Sequence, residues 1–292
     1  MKTPRPGERR AWPFPARRSP LRPLPRPATT TRMPDPIPPG IPRAALVTGG
    51  AQRLGGAMVR ALARAGFDVA IHCHTSQAEA ERLRDEVRAL GRRAVVLAAD
   101  LAVEAEVEPL VPAATADLGP IGVLINNASR FEWEEWTDAT RATWDSHIEP
   151  NLRAPFVLTQ AFARALPEDG QGVVINMLDQ RVWSLTPHFV SYTVSKAALW
   201  ALTQTMALAL APRIRVNAIG PGPALPSPRQ TPEQFARQAA STPLRHGTSP
   251  DEVARAMLAI LSLPAMTGQM IALDGGQHLQ WAPSRDQTGP VE

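Results

Sequence analysis

One cysteine, one tyrosine and two lysines are all that 292 residues contain of those types. A lone Cys73 excludes an intrachain disulfide and a thiolate zinc site. The six histidines show no metal-ligand spacing such as HExxH, so no metal is expected. No apolar run approaches the ~20 residues needed to cross a bilayer, and the N-terminus lacks the apolar segment of a secretory signal. The expectation is a cytoplasmic, reducing location without membrane contact. Basic charge is also scarce in the body. Residues 1–43 hold ten Lys/Arg against Glu8 and Asp35, leaving 21 basic and 25 acidic residues for the rest. The body therefore carries no electrostatic footprint for nucleic acid.

Proline is abundant only at the start. Residues 1–42 carry thirteen of the 31 prolines and almost no apolar periodicity. Such a stretch cannot bury enough surface to offset its ordering entropy, and it reads as a disordered Pro/Arg-rich extension, with Met33 a candidate start. Residues 43–276 form the expected domain, and 277–292 a C-terminal tail. Within the domain, short apolar runs alternate with longer helical ones. Strands are predicted at 44–48, 69–74, 94–98, 122–125, 172–177, 214–219 and 269–273. Helices are predicted at 54–65, 77–90, 104–118, 192–211, 232–240 and 251–261, with a long helix over 139–166 bent near Pro150 and Pro155. Strands apolar on both faces and alternating with helices mean a doubly wound, Rossmann-type parallel sheet with helices on both sides.

The most informative stretch is Tyr192-Thr193-Val194-Ser195-Lys196. At i and i+4 of a helix, the single tyrosine and the only lysine beyond Lys2 share one face. A lysine cation about 5 Å from a phenol, at an effective dielectric of about 20, favours the phenolate by roughly 3 kcal/mol. That is roughly two pKa units, enough to let a phenol pass protons near neutrality. The first strand runs into Thr48-Gly49-Gly50-Ala51-Gln52-Arg53-Leu54-Gly55 and a helix, a junction that suits the pyrophosphate of a dinucleotide. The second strand ends in His72-Cys73-His74-Thr75-Ser76 without the acid that would hold a ribose 2′-OH. NADP is therefore favoured over NAD, with Arg53, His72 and Ser76 as phosphate donors. Asp100-Leu101, Asn126-Asn127-Ala128-Ser129, Asp179 and Pro221-Gly222-Pro223 each close a strand, where ligands of open α/β sheets bind.

Taken together and in this order, with Asn151 in the long helix and Asp274-Gly275-Gly276 near the end, these elements resemble the short-chain dehydrogenase/reductase family over roughly residues 43–276. The resemblance implies a catalytic set of Tyr192 as proton donor, Lys196 holding the nicotinamide ribose and lowering the tyrosine pKa, and Asn151 supporting a water relay. The implied cofactor-binding set is Gly49, Gln52, Arg53, Leu54, His72, Ser76, Asp100, Leu101, Asn127, Ala128, Ser129, Tyr192, Lys196, Pro221 and Gly222. Two departures matter: the family's usual second glycine is Arg53, and its usual serine is Asp179. Both are similar to the pteridine and dihydromonapterin reductases within the family, as are Phe131 after Asn126–Ser129 and the His72-x-His74-x-Ser76 pattern. The arginine often found just before that serine is Thr75. This likeness implies a substrate set of Arg53, Phe131, Asp179 and Tyr192, with Phe131 stacking on a pterin, and adds Asp179 to the catalytic set as the partner of Tyr192 in proton delivery.

The leading expectation is an NADPH-dependent reductase of a dihydropterin-like heterocycle. A general carbonyl or imine reductase, and a cofactor-binding sensor without turnover, stay open beside it. Trp133, Trp136 and Trp183 are candidate pocket residues, and the loop Pro223–Pro232 a candidate lid. Apolar surface on the Tyr192–Ala211 helix and its predecessor predicts a homodimer or homotetramer, as in the family.

Overall fold

Among the described residues, seven strands, all parallel, stand in the order β3-β2-β1-β4-β5-β6-β7. The computed structural model describes residues 36–227 and 229–280. The strands are β1 (Ala44–Val47), β2 (Asp68–Cys73), β3 (Ala94–Ala98), β4 (Val123–Asn126), β5 (Gly172–Met177), β6 (Ile214–Pro221) and β7 (Met270–Leu273). The helices are α1 (Arg53–Arg64), α2 (Gln77–Ala89), α3 (Glu104–Val107), α4 (Leu110–Leu118), α5 (Arg141–Ile148), α6 (Ala154–Ala165), α7 (Val190–Leu210), α8 (Pro232–Ala240) and α9 (Pro250–Ser262). The doubly wound architecture is the one the sequence predicts.

Period-two alternation divides the core. Ala45 and Val47 of β1 face a cluster that includes Met58, Leu62 and Phe67 and, from α9, Met257 and Ile260. Ala44 and Leu46 face the opposite cluster, with Val111 of α4 and Leu158 and Phe162 of α6. Both faces are covered, so the strands can be apolar throughout.

Four local features refine the predicted elements. The predicted 104–118 helix is two helices, because Pro109 has no N–H to continue the ladder and becomes the N-cap of α4. The bend in the 139–166 segment is a π-helical turn, Glu149–Arg153, at Pro150. The domain also begins earlier than predicted. Ile37 and Ile41 are 4% and 2% exposed and belong to the core, so residues 36–42 are not part of an extension. At the other end, Gln277–Leu279 at the start of the expected tail forms a 3-10 turn. The rest of the predicted extension and tail lies outside the described residues.

Strand order reverses between β1 and β4, and the crevice at their C-terminal ends is where such sheets take ligands. Among the described residues no helix is long and apolar enough to cross a membrane.

Candidate active site

The turn after β1 is held from three sides. Gly49 lies at φ +57, and a Cβ there would come within 3.0 Å of the Ala128 Cα. Thr48 Oγ1 accepts the N–H groups of Asn127 (2.9 Å) and Ala128 (3.0 Å), and the Asn127 amide donates back to the carbonyls of Thr48 and Gly49. His72 completes the clamp. The Gly49 N–H donates to His72 Nδ1 at 3.1 Å, so Nε2 carries the proton and donates to the Ala99 carbonyl, also at 3.1 Å. The ring is 1% exposed, and burial pushes its pKa down to about 4 against the pull of that carbonyl. A neutral imidazole with both nitrogens engaged has no donor left for a phosphate. His72, expected as a phosphate donor, shapes the turn here and also lines the cavity beside it.

Arg53, where the family has glycine, is left-handed at φ +53 and opens α1. A non-glycine residue there costs roughly 1 kcal/mol. Its guanidinium donates to the Pro226 carbonyl at 3.1 Å, bridging the turn to the loop after β6. Gln52 donates to Ser76 Oγ at 2.9 Å but leaves the first turn of α1 without a side-chain cap. The N–H groups there are available to an anion. A cavity of about 430 Å³ opens beside this turn, lined among others by Gly49, Gln52, Arg53, Leu54, Asp100, Leu101 and Asn127 through Ser129. A second, of about 210 Å³, shares Arg53, Leu54, Asn127 and Ser129 and continues to Met177, Asp179, Tyr192, Lys196, Pro221 and Gly222. The two make one groove across the strand ends, with a glycine cradle at one end and a phenol at the other, which fits a dinucleotide.

At the phenol end, Asp179 follows β5 and Tyr192 stands on the first turn of α7. The Tyr192 hydroxyl donates to Asp179 Oδ2 at 3.0 Å. Arg181, which sequence reasoning missed, grips the same carboxylate through its own backbone N–H to Oδ1 (2.8 Å) and its guanidinium to Oδ2 (3.2 Å). Lys196 is 2% exposed; its ammonium donates to the Met177 carbonyl at 2.9 Å and stands 5.8 Å from the Tyr192 ring centre. Burial lowers its pKa from 10.5 to about 8, with the Asp179 charge pulling the other way. Asn151, fully buried in the π turn, accepts the Arg130 N–H at 2.8 Å and the Ser129 hydroxyl at 3.2 Å, and donates to the Arg130 carbonyl and Ser195 Oγ.

Phe131 sits among aromatic rings. Its ring stacks on Phe189 (4.6 Å, 25°), meets Tyr192 edge-on at 4.6 Å and lies under the Arg229 guanidinium at 5.3 Å. It lines neither cavity. Trp133 packs on Phe189, Trp136 is 76% exposed, and Trp183 packs against His278 and Trp200, so none of the three tryptophans lines either cavity.

The short chain dehydrogenase family model matches residues 43–234, and the chain belongs to that family. An uncharacterized oxidoreductase of Mycobacterium tuberculosis is 34% identical over 242 residues, 80% of this chain and 91% of the relative. FolM alternative dihydrofolate reductase 1 from Brucella canis, crystallised with NADP, is 48% identical. It superposes with a TM-score of 0.80 over 84% of this chain and 97% of that one. A blue fluorescent protein from a metagenomic library, in complex with NADPH, is 33% identical with a TM-score of 0.75, over 80% and 97%.

Proposed function

We propose that the protein is an NADPH-dependent reductase of a dihydropterin-like heterocycle, with Tyr192 and Asp179 delivering the proton. The observation that carries this reading is the hydrogen bond from the Tyr192 hydroxyl to Asp179 at the floor of the groove. NADP is the cofactor, as in the Brucella and metagenomic relatives, and when bound it supplies the hydride. Reducing a C=N bond also requires a proton on the ring nitrogen. A carboxyl bonded to a phenol can pass that proton along, whereas a serine would hold only a carbonyl oxygen. Lys196 faces the phenol with its charge, and Asn151 braces the wall that carries Ser129 and Arg130. The Brucella relative, named a dihydrofolate reductase, supports a substrate of this ring class.

A second reading, reduction of aldehydes, ketones or imines unrelated to pterins, draws on Phe131. Its ring already stacks on Phe189 and lies under the Arg229 guanidinium. Self-association as a homodimer or homotetramer through α7 belongs to the leading reading, supported by Leu208 (84% exposed) and Val194 on that helix. So does a cytoplasmic location, supported by the free, buried Cys73.

NADPH oxidation assayed with dihydrobiopterin, dihydrofolate and a panel of carbonyls separates the readings. Turnover with the dihydropterins, and little with the carbonyls, is expected. Carbonyl turnover alone would replace the first reading by the second.

A further inference from the structure

The stretch after β4 is laced to the start of α7. The rings of Phe131 and Trp133 each lie 4.6 Å from Phe189, Glu135 meets His188 Nδ1 at 2.8 Å, and the Phe189 N–H donates to the Glu134 carbonyl at 2.9 Å. Phe189 itself is left-handed at φ 57, a conformation it holds only because these contacts fix it. Glu134 sits at the middle of the lacing and is 2% exposed. Its Oε1 accepts the Ser191 N–H at 2.8 Å, on the first turn of the helix that carries Tyr192. Burial pushes the Glu134 pKa up. The Ser191 N–H leads the interactions that outweigh that effect and leave it lowered, while the buried Oε2 has no hydrogen-bond partner.

His147 secures the other side. Its Nε2 accepts the Glu132 N–H at 3.0 Å, so Nδ1 carries the proton and donates to Ser191 Oγ at 2.7 Å. Serine, histidine and glutamate are the residue types of a hydrolytic triad. Here the serine and histidine are 0% exposed and both ring nitrogens are engaged, so no nucleophile is presented.

We propose that Glu134 is a positioning residue for the reaction. Its carboxylate locks the first turn of α7 to the 131–135 stretch and so sets where the Tyr192 hydroxyl stands relative to Asp179 and Lys196. The inference rests on the reading that Tyr192 delivers the proton. Glu134 lines neither cavity, so its effect on cofactor binding is small.

The test uses the chain's single tyrosine, whose ionisation can be followed by ultraviolet absorbance without any substrate. The NADP-bound parent is compared with Glu134→Leu, Glu134→Asp and Glu134→Gln. In Glu134→Leu the phenol titration shifts upward by about half a unit or more, roughly a threefold change in the phenolate ratio. NADPH affinity stays within about twofold, and dihydrobiopterin turnover falls about tenfold or more in kcat. Glu134→Gln, which still offers an oxygen to the Ser191 N–H, restores most of both. Should Glu134→Leu fail to fold, Glu134→Asp, with its oxygens drawn back by one methylene, must show the same shift. A parental titration in either variant, NADPH affinity lost in step with kcat, or no rescue by glutamine overturns the proposal. Absence of dihydrobiopterin turnover in the parent contradicts the functional reading instead, and the titration still decides the role of Glu134.

Discussion

Tyr192 and Asp179, thirteen residues apart, share a hydrogen bond of 3.0 Å from the phenol to the carboxylate. The phenol stands on the first turn of α7 and the carboxylate at the end of β5, so the pair joins the helix to the sheet at the floor of the groove. Arg181 holds both carboxylate oxygens, its backbone N–H on Oδ1 and its guanidinium on Oδ2, the oxygen that also accepts the tyrosine hydroxyl.

Lys196 imposes a pH signature. Its folded pKa of about 8 lies below its ordinary 10.5, so the folded protein releases this proton before the unfolded chain does. Below pH 8 both states hold the proton, and burying the charge costs about 3 kcal/mol. Between about 8 and 10.5 the unfolded state binds more protons, and this contribution to stability rises with pH. The cation facing the phenol disappears as the folded protein titrates through about pH 8. Catalytic efficiency should therefore fall along an alkaline limb near pH 8. Urea midpoints should show a stabilising trend from pH 7.5 to 9.5 that Lys196→Met lacks. Identical pH trends in the two proteins would count against the assignment.

Arg53 combines backbone strain with a useful charge. Arg53→Gly should relieve roughly 1 kcal/mol of left-handed strain, and Arg53→Ala should not. Both should weaken NADPH by roughly tenfold relative to NADH if the guanidinium reaches the 2′-phosphate. Fluorescence titrations with the two nucleotides, beside melting curves, separate the two effects. Unchanged preference for NADPH in both variants would remove Arg53 from the cofactor site.

The N-terminal boundary can be tested by truncation. A protein beginning at Met33 should melt like the full chain, because Ile37 and Ile41 are retained in the core. One beginning at Arg43 loses both side chains, about 3 kcal/mol or more of burial, and should melt several degrees lower. Equal melting temperatures would place the two isoleucines outside the stabilising core.

Much of this was legible in the sequence, for local reasons. The strands announce themselves as apolar runs, the glycine turn and Tyr192/Lys196 by spacing, and Asp179 by standing where a serine is usual. The contacts that tune the site were not legible because they join distant segments. Glu134 meets Ser191 across 57 residues, and His147 meets Ser191 across 44. His72 reads as a ligand donor from its place at a strand end, and only the fold reveals that Gly49 and Ala99 take both nitrogens. Phe131 reads as a stacking platform, and only the fold shows Phe189 and Arg229 against it.

The central claim is that the Tyr192–Asp179 pair delivers the proton for reduction of a ring C=N bond. Tyr192→Phe should abolish turnover and leave NADPH binding nearly intact, since the hydroxyl acts mainly in the transition state. Asp179→Ser tests the claim most directly, by steady-state dihydrobiopterin reduction at saturating NADPH. The account predicts a loss of about two to four orders of magnitude in kcat, the range of general acid catalysis, with any gained activity directed at carbonyls. Dihydrobiopterin reduction at the parental rate by Asp179→Ser would contradict it.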